Sequence, residues 1–214
     1  MSFVGLFTGE NMWNILKSGG PLMIVICLLG LMAIFIIAER IYYYCSVKKR
    51  DSKLMKTVLT DLSRGDFSSV ESACVLADTP CAQVIKTAVG NRNLDEAHLK
   101  EIVQTKMDGV VPQLEHLLTA LTTIANISTL LGLLGTVTGN IKAFGVLGNG
   151  GSMGDPALLA NAIAEALVTT VGGLVVAIPS IVASNFFNNE VNHRLNDMET
   201  NVTQVLYSLT GKNL

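Results

Sequence analysis

Three long stretches without a charged residue dominate the hydrophobic pattern of this chain. They run from Ser18 to Ala38, from His116 to Ile141 and from Ala166 to Asn189. A helix needs about 20 apolar residues to cross a bilayer, and a lone strand could not satisfy its backbone hydrogen bonds in lipid. The pattern therefore predicts an all-α, multi-pass membrane protein with three transmembrane helices.

Polar signals between and after these stretches predict long helical extensions beyond the membrane. Asp66 is placed to cap a helix over FSSVESACVLA, and the DTP at 78–80 puts a proline in the first turn of the next helix. A third helix is expected to begin near Leu94 and to run through Pro112 into the second span. The third span is expected to continue as an amphipathic helix to about Leu209.

The positions of Lys and Arg predict the orientation. Eleven of the 15 Lys and Arg residues lie between Arg40 and Lys106, whereas the N-terminal arm has only Lys17 and the loop after the second span only Lys142. The positive-inside rule then places the segment between the first two spans in the cytoplasm. The predicted division is an external N-terminal arm (1–17), a first transmembrane helix (18–45), a cytoplasmic helical domain (46–115), a second transmembrane helix (116–144), a short external loop (145–156), a third transmembrane helix (157–189) and a cytoplasmic C-terminal helix (190–214).

The composition supports a membrane location and excludes several classes of function. Half of the residues are hydrophobic and 15% are charged, against about 25% charged in soluble domains. A net charge of -2 gives no support for a nucleic-acid partner. The opening MSFVGLFTGE has no basic region and no small-residue cleavage site, so no cleaved signal peptide is expected. Cysteines without a CxxC pair and scattered histidines predict neither a metal site nor a cofactor, and no catalytic constellation predicts an enzyme.

A polar stripe follows one face of the second span at intervals of three and four residues. Its members are Thr119, Thr122, Asn126, Thr129, Leu133, Thr136 and Asn140. Beside it lie Gly132, Gly135 and Gly139. The third span has a face of small residues, namely Thr170, Gly173, Ala177, Ser180 and Ser184, and Thr169 adjoins it. Two explanations stay open at this point: close packing of membrane helices or the lining of a hydrated path.

None of the three spans carries an Asp, Glu, Lys or Arg at depth. A proton or cation path usually needs such a group, so a partner helix would have to supply it. Glu165, near the outer end, is expected to attract protons or to pair with a partner's cation; its alternative is a helix-start glutamate stabilised by the helix dipole. Pro179 is expected to kink the third span or to free a backbone carbonyl.

Two segments resemble the signatures of the MotA/TolQ/ExbB proton-channel family. They are LLGLLGTVTGNIKAF at 130–144 and IAEALVTTVGGLVVAIPSIVASN at 163–185, and the first span, ending in IIAERIYYY, is similar to the family's opening helix. Three spans, with the large polar segment between the first and the second, resemble the ExbB and TolQ branches rather than MotA, which has four. The ExbB branch is the nearer.

The resemblance implies a complex in the inner membrane of a Gram-negative-type bacterium. A homopentamer would surround a dimer of a single-span partner, ExbD-like or TolR-like, whose membrane aspartate carries the proton. Output would pass to a TonB-like or a TolA-like protein. By motif position, the resemblance assigns pore-facing roles to Thr136 and Thr170, and it matches Glu165 and Pro179 to family positions. A pore role for Asn140 is inferred from the stripe alone, and the threonine oxygens leave sodium coupling open beside proton coupling.

Overall fold

The computed structural model describes residues 20–148 and 156–210, and within them every long element is an α-helix. The helices are α1 (Gly20–Ser63), α2 (Phe67–Ala77), α3 (Pro80–Gly90), α4 (Glu96–Glu115), α5 (Leu118–Gly148) and α6 (Pro156–Thr210). Three of them, α1, α5 and α6, contain stretches long and apolar enough to cross a membrane. The predicted all-α protein with three spans is confirmed.

The chain divides into two compact units. Met1–Ile37 and Thr119–Asn185 form the first, here the span unit; Ala38–Leu118 and Phe186–Leu214 form the second, here the head unit. The predicted external arm, most of the external loop and the last four residues lie outside the described residues. The helix α5 extends to Gly148, beyond the end predicted for the second span at residue 144.

Within the span unit, small side chains let α1 approach α6. A Cβ built on Gly30 would lie 3.0 Å from Cγ2 of Val176, and Ile26 is almost completely buried. Large apolar side chains such as Leu31 and Phe35 point away from the unit and are exposed. That distribution suits a lipid environment, where outward apolar surface costs nothing.

Caps predicted from the sequence begin two helices of the head unit. Asp66 Oδ1 accepts a hydrogen bond from the backbone N–H of Ser69 at 3.1 Å, which caps α2. Thr79 Oγ1 accepts from the N–H of Ala82 at 3.2 Å, and Pro80 follows as the first residue of α3. Both helix starts are confirmed. Apolar side chains of α1, α2, α3, α4 and α6 then form one core, centred on α3.

The expected continuity of α4 with the second span is wrong. The helix passes through Pro112 but ends at Glu115, and Leu117 has a φ of 66° in the left-handed region. The last carbonyls of a helix lack intrahelical partners, and the hydroxyl of Tyr44 donates to the Leu114 carbonyl at 2.7 Å. The backbone carbonyl of Tyr44 accepts a hydrogen bond from Arg194 at 2.9 Å. Tyr44 therefore links α4, α1 and α6 at this break. The third span does continue as α6, to Thr210, as predicted for about Leu209.

Candidate functional site

Glycines lie where α5 and α6 approach most closely. They are Gly132, Gly135 and Gly139 on α5 and Gly173 on α6. A Cβ on Gly173 would lie 2.5 Å from the Ser128 carbonyl oxygen, and one on Gly135 would lie 2.6 Å from Cγ2 of Thr169. Real side chains do not come so close, so only glycine permits this separation of the two helices.

The small-residue face of α6 is covered by α5. Ala177, Ser180 and Ser184 are buried. The Ser184 hydroxyl shares a 2.7 Å hydrogen bond with that of Thr122. Thr170 Oγ1 donates to the Gly132 carbonyl at 2.8 Å and also approaches that of Ala166, at 3.3 Å. Packing within the chain therefore accounts for this face.

Apart from Thr122, which bonds Ser184 of α6, the polar stripe of α5 is left uncovered by the described residues. Its polar members are exposed, except that Thr136 is half-buried. Thr129 donates to the Ala125 carbonyl at 3.1 Å and Thr136 to that of Leu133 at 2.6 Å, so these hydroxyls bond their own helix. The amides of Asn126 and Asn140 have no hydrogen-bond partner among the described residues. Because an unbonded amide is costly in hydrocarbon, this face needs water or another chain.

Glu165 forms an ion pair that the sequence analysis missed. Its Oε1 lies 2.8 Å from Nζ of Lys142, with the glutamate side chain 29% exposed and the lysine 55%. The explanation by a helix dipole does not hold, because Glu165 lies well past the first turn of α6, where the dipole acts. The sequence did hold one sign of this pair: Lys142 follows the second uncharged stretch and Glu165 precedes the third, so both lie at the predicted outer end of a span.

A cavity of about 260 Å³ adjoins this ion pair inside the span unit. Its lining includes Thr138, Gly139, Lys142, Glu165 and Thr169. Thr169 is buried and donates to the carbonyl of Glu165 at 2.8 Å. The cavity therefore combines a charged pair with hydroxyl groups.

The candidate residues thus lie in four surroundings. Glu165, Thr169, Gly135 and Gly139 line the cavity, and Thr170 lies at the contact of α5 with α6. Thr136 and Asn140 lie on the uncovered stripe. Pro179 is exposed on α6, which remains helical on both sides of it. Its missing N–H removes the helical bond to the Val175 carbonyl.

Comparison with known proteins gives consistent matches. The model of the MotA/TolQ/ExbB proton channel family matches residues 76–200, a range that contains the polar stripe, the close glycine contacts and the Lys142–Glu165 pair. The biopolymer transport protein ExbB of Neisseria meningitidis serogroup A is 28% identical over 207 residues, covering 88% of this chain and 92% of that protein. An ExbB-like biopolymer transport protein of Synechocystis sp. is 28% identical over 173 residues, covering 80% and 82%. The Tol-Pal system protein TolQ of Haemophilus influenzae is 38% identical over 86 residues, covering 40% and 37%.

Proposed function

The chain belongs to the MotA/TolQ/ExbB proton channel family, and from that premise we propose that it is the channel subunit of an ExbB-type complex in the inner membrane. Five copies surround a dimer of an ExbD-like, single-span partner. The proton-motive force acts on an aspartate of that partner, and the resulting motion energises a TonB-like protein for transport across the outer membrane. The head unit lies in the cytoplasm and the N-terminus outside.

The observation that carries this proposal is the uncovered polar stripe of α5. The small face of α6 finds its partner within the chain, whereas Asn126 and Asn140 remain without one among the described residues. The spans also lack an ionisable group at depth. A stripe that needs polar partners and a path that needs a carboxylate are both completed by a second helix carrying an aspartate.

Hydrogen bonds on the stripe and at its edge suggest how the two protonation states are told apart. Thr136 on the stripe and Thr170 at the adjoining contact of α5 with α6 each donate their hydroxyl proton to a backbone carbonyl. Their oxygens are left as acceptors, which suit a protonated carboxyl, a water or a cation. The amide N–H groups of Asn140 are donors and suit the charged carboxylate. A charged aspartate is therefore held at the hydrated stripe, and a neutral one is free to pass apolar surface.

The Lys142–Glu165 pair and its cavity form the outer approach to this path. Glu165 attracts protons, and Lys142 balances the charge of Glu165 when no group of the partner protein binds it. Thr169 holds the α6 backbone at this point through the carbonyl of Glu165. Pro179 leaves a free carbonyl further along α6, which can serve the path or a moving helix.

A TolQ-type role is the second candidate, because a TolQ protein matches 86 residues of this chain at 38% identity. In that case TolR-like and TolA-like proteins take the places of the ExbD-like and TonB-like ones. Complementation separates the two roles. An ExbB-type protein should restore TonB-dependent uptake to a strain that lacks ExbB, whereas a TolQ-type protein should restore detergent resistance to a strain that lacks TolQ.

The test of the path replaces Thr136 by Val and Asn140 by Leu in the restored strain. A hydrogen bond to a charged group is worth about 1.5–3 kcal/mol, so we expect Asn140→Leu to lower proton-driven uptake about tenfold or more. A bond to a neutral group is worth about 0.5–1.5 kcal/mol, so we expect Thr136→Val to lower it about two- to tenfold. The measurement is the initial rate of uptake, with proton entry into vesicles of the purified complex as a second readout.

Thr123→Val is the matched control, since Thr123 lies on α5 outside the stripe and its hydroxyl also bonds its own helix. We expect uptake with this variant to stay normal. If Thr136→Val and Asn140→Leu assemble with the partner and both conduct at the normal rate, the chain is a scaffold and the proposed path is wrong.

A further inference from the structure

A protruding apolar corner lies at the end of α2 in the head unit. Leu76 is 87% exposed, the largest exposed fraction of any large apolar side chain in the described part of the chain, and Val75 is 61% exposed. Arg50 and Lys53 of α1 line a shallow pocket together with Leu76. We call Val75, Leu76, Arg50 and Lys53 the basic knob.

The cations of the basic knob are only partly compensated within the described residues, where the charge of Arg50 acts on the carboxyl of Asp51. Arg50 donates to the Ala77 carbonyl at 3.4 Å and to the Ser46 hydroxyl at 2.9 Å, both uncharged acceptors. Neither Arg50 nor Lys53 forms an ion pair within the same residues. Exposed apolar side chains beside two cations that form no ion pair among the described residues offer a surface that an apolar, acidic partner would fit.

A groove of opposite character lies between α4 and α6 of the head unit. It has a volume of about 410 Å³, and Leu99, Val103 and Val202 form a buried apolar floor. Glu96, Glu101 and Glu199 line its rim. Lys100 pairs with Glu96 at 2.7 Å, whereas Glu101 and Glu199 make no ion pair within residues 20–148 and 156–210. We call this the acidic groove.

We propose that the basic knob of one copy docks into the acidic groove of the next copy. Leu76 and Val75 cover the apolar floor, while Arg50 and Lys53 meet the carboxylates of Glu101 and Glu199 on the rim. The knob uses α1 and α2 and the groove uses α4 and α6, so the contact is heterologous and repeats from copy to copy until a ring closes. This inference rests on the proposed function, because it supplies the contact that a pentamer of this chain would use outside the membrane.

A second copy is the favoured occupant because both surfaces belong to the same chain. They are therefore present in equal number wherever the protein is present, and the excess charge is of opposite sign on the two. Complementary potentials of this kind fix which surfaces meet and in what register. The pairing also leaves neither surface exposed in a closed ring.

Cross-linking of the full chain in membranes tests the contact. Leu76→Cys is combined with Gln104→Cys in the groove, in a chain with Cys27→Ala and Cys45→Ser. Cys74 and Cys81 are kept because they are buried; burial raises the pKa of Cys74 to about 11 and raises that of Cys81 as well. A short bis-maleimide should give a ladder from dimer up to the closed ring, at least fivefold stronger than with the control pair.

The control pair replaces Gln104→Cys by Thr105→Cys, an exposed neighbour that lies about 100° further round α4 and does not line the groove. Adding Lys53→Glu should reduce the ladder at least threefold, and adding Glu101→Lys and Glu199→Lys to that variant should restore it. Equal ladders for the Gln104 and Thr105 pairs, or a product with a different protein at Leu76→Cys, overturn the knob-and-groove contact. Mass photometry of the uncross-linked protein in nanodiscs then tests the proposed function separately. An oligomer is consistent with the proposed function even if the knob-and-groove contact fails, whereas a monomer refutes both proposals.

Discussion

At the scale of single residues, Asp51 shows how the head unit holds a carboxyl away from water. Its Oδ1 accepts a 2.5 Å hydrogen bond from Thr79 Oγ1, the same oxygen that caps α3. Burial raises the pKa of Asp51; the hydrogen bond from Thr79 and the charges of Arg194 and Arg50 oppose that effect but do not cancel it. The residue therefore ties α1 to the start of α3 at the cost of burying a charge.

This balance predicts that Asp51→Asn does not destabilise the protein at pH 7. The folded carboxyl keeps its proton to a higher pH than the unfolded one, so its contribution to stability is largest below the unfolded pKa of 3.8 and falls as the pH rises through the folded pKa. Asparagine has no charge to bury, and its carbonyl oxygen still accepts from Thr79. Thermal unfolding in detergent should show the variant at least as stable as the wild type at pH 7, with any advantage shrinking towards pH 4.

Asp78→Asn is the control for that measurement, because Asp78 adjoins Thr79 and is exposed. We expect its stability relative to the wild type to change little across the same pH range. A marked loss of stability at pH 7 in Asp51→Asn would mean that the charge of Asp51, attracted by the charges of Arg194 and Arg50, stabilises the head unit.

At the scale of the helices, the sequence predicts features that depend on neighbouring residues and misses those that depend on distant ones. Asp66 and Thr79 cap their helices through bonds to residues three positions ahead, a distance within one helical turn. The pairing of Lys142 with Glu165 joins two helices and depends on how they are packed. Periodicity predicts the polar stripe of α5 and the small-residue face of α6. Only the packing of the two helices shows that the face of α6 is covered and the stripe of α5 is not.

The contact of α5 with α6 gives a prediction at this scale. Gly173→Ala should destabilise the span unit, because the new Cβ would lie 2.5 Å from the Ser128 carbonyl oxygen, a backbone atom that cannot move alone. Over-packing of this kind costs about 1–3 kcal/mol. The measurement is the thermal stability of the purified protein in detergent, together with its yield in membranes.

Gly145→Ala on α5 is the matched control. A Cβ there meets nothing within 4 Å, and alanine is favoured over glycine in a helix by about 0.8–1 kcal/mol. The control should therefore be as stable as the wild type or more so. Equal stability of the two variants would show that α5 and α6 can separate at Gly173 without loss, and that this contact does not hold the span unit together.

At the scale of the whole molecule, charge is divided between the two units. All Lys and Arg residues except Lys17 and Lys142 belong to the head unit, together with most of the acidic residues. Helical structure alone does not say which side of the membrane that unit occupies. The location follows instead from the cost of moving lysine and arginine across during insertion, which keeps basic segments close to a span in the cytoplasm.

The orientation is therefore predicted by Arg40, Lys48, Lys49, Arg50 and Lys53, which follow the first span directly. In a chain with Cys27→Ala and Cys45→Ser, a Thr105→Cys variant should react with a membrane-impermeant maleimide only after the inner membrane is opened. A Ser152→Cys variant, in the predicted external loop, should react while that membrane is intact. The reverse result would place the head unit outside, where the Lys142–Glu165 end of the span unit would face the cytoplasm and could not receive protons from the energised side.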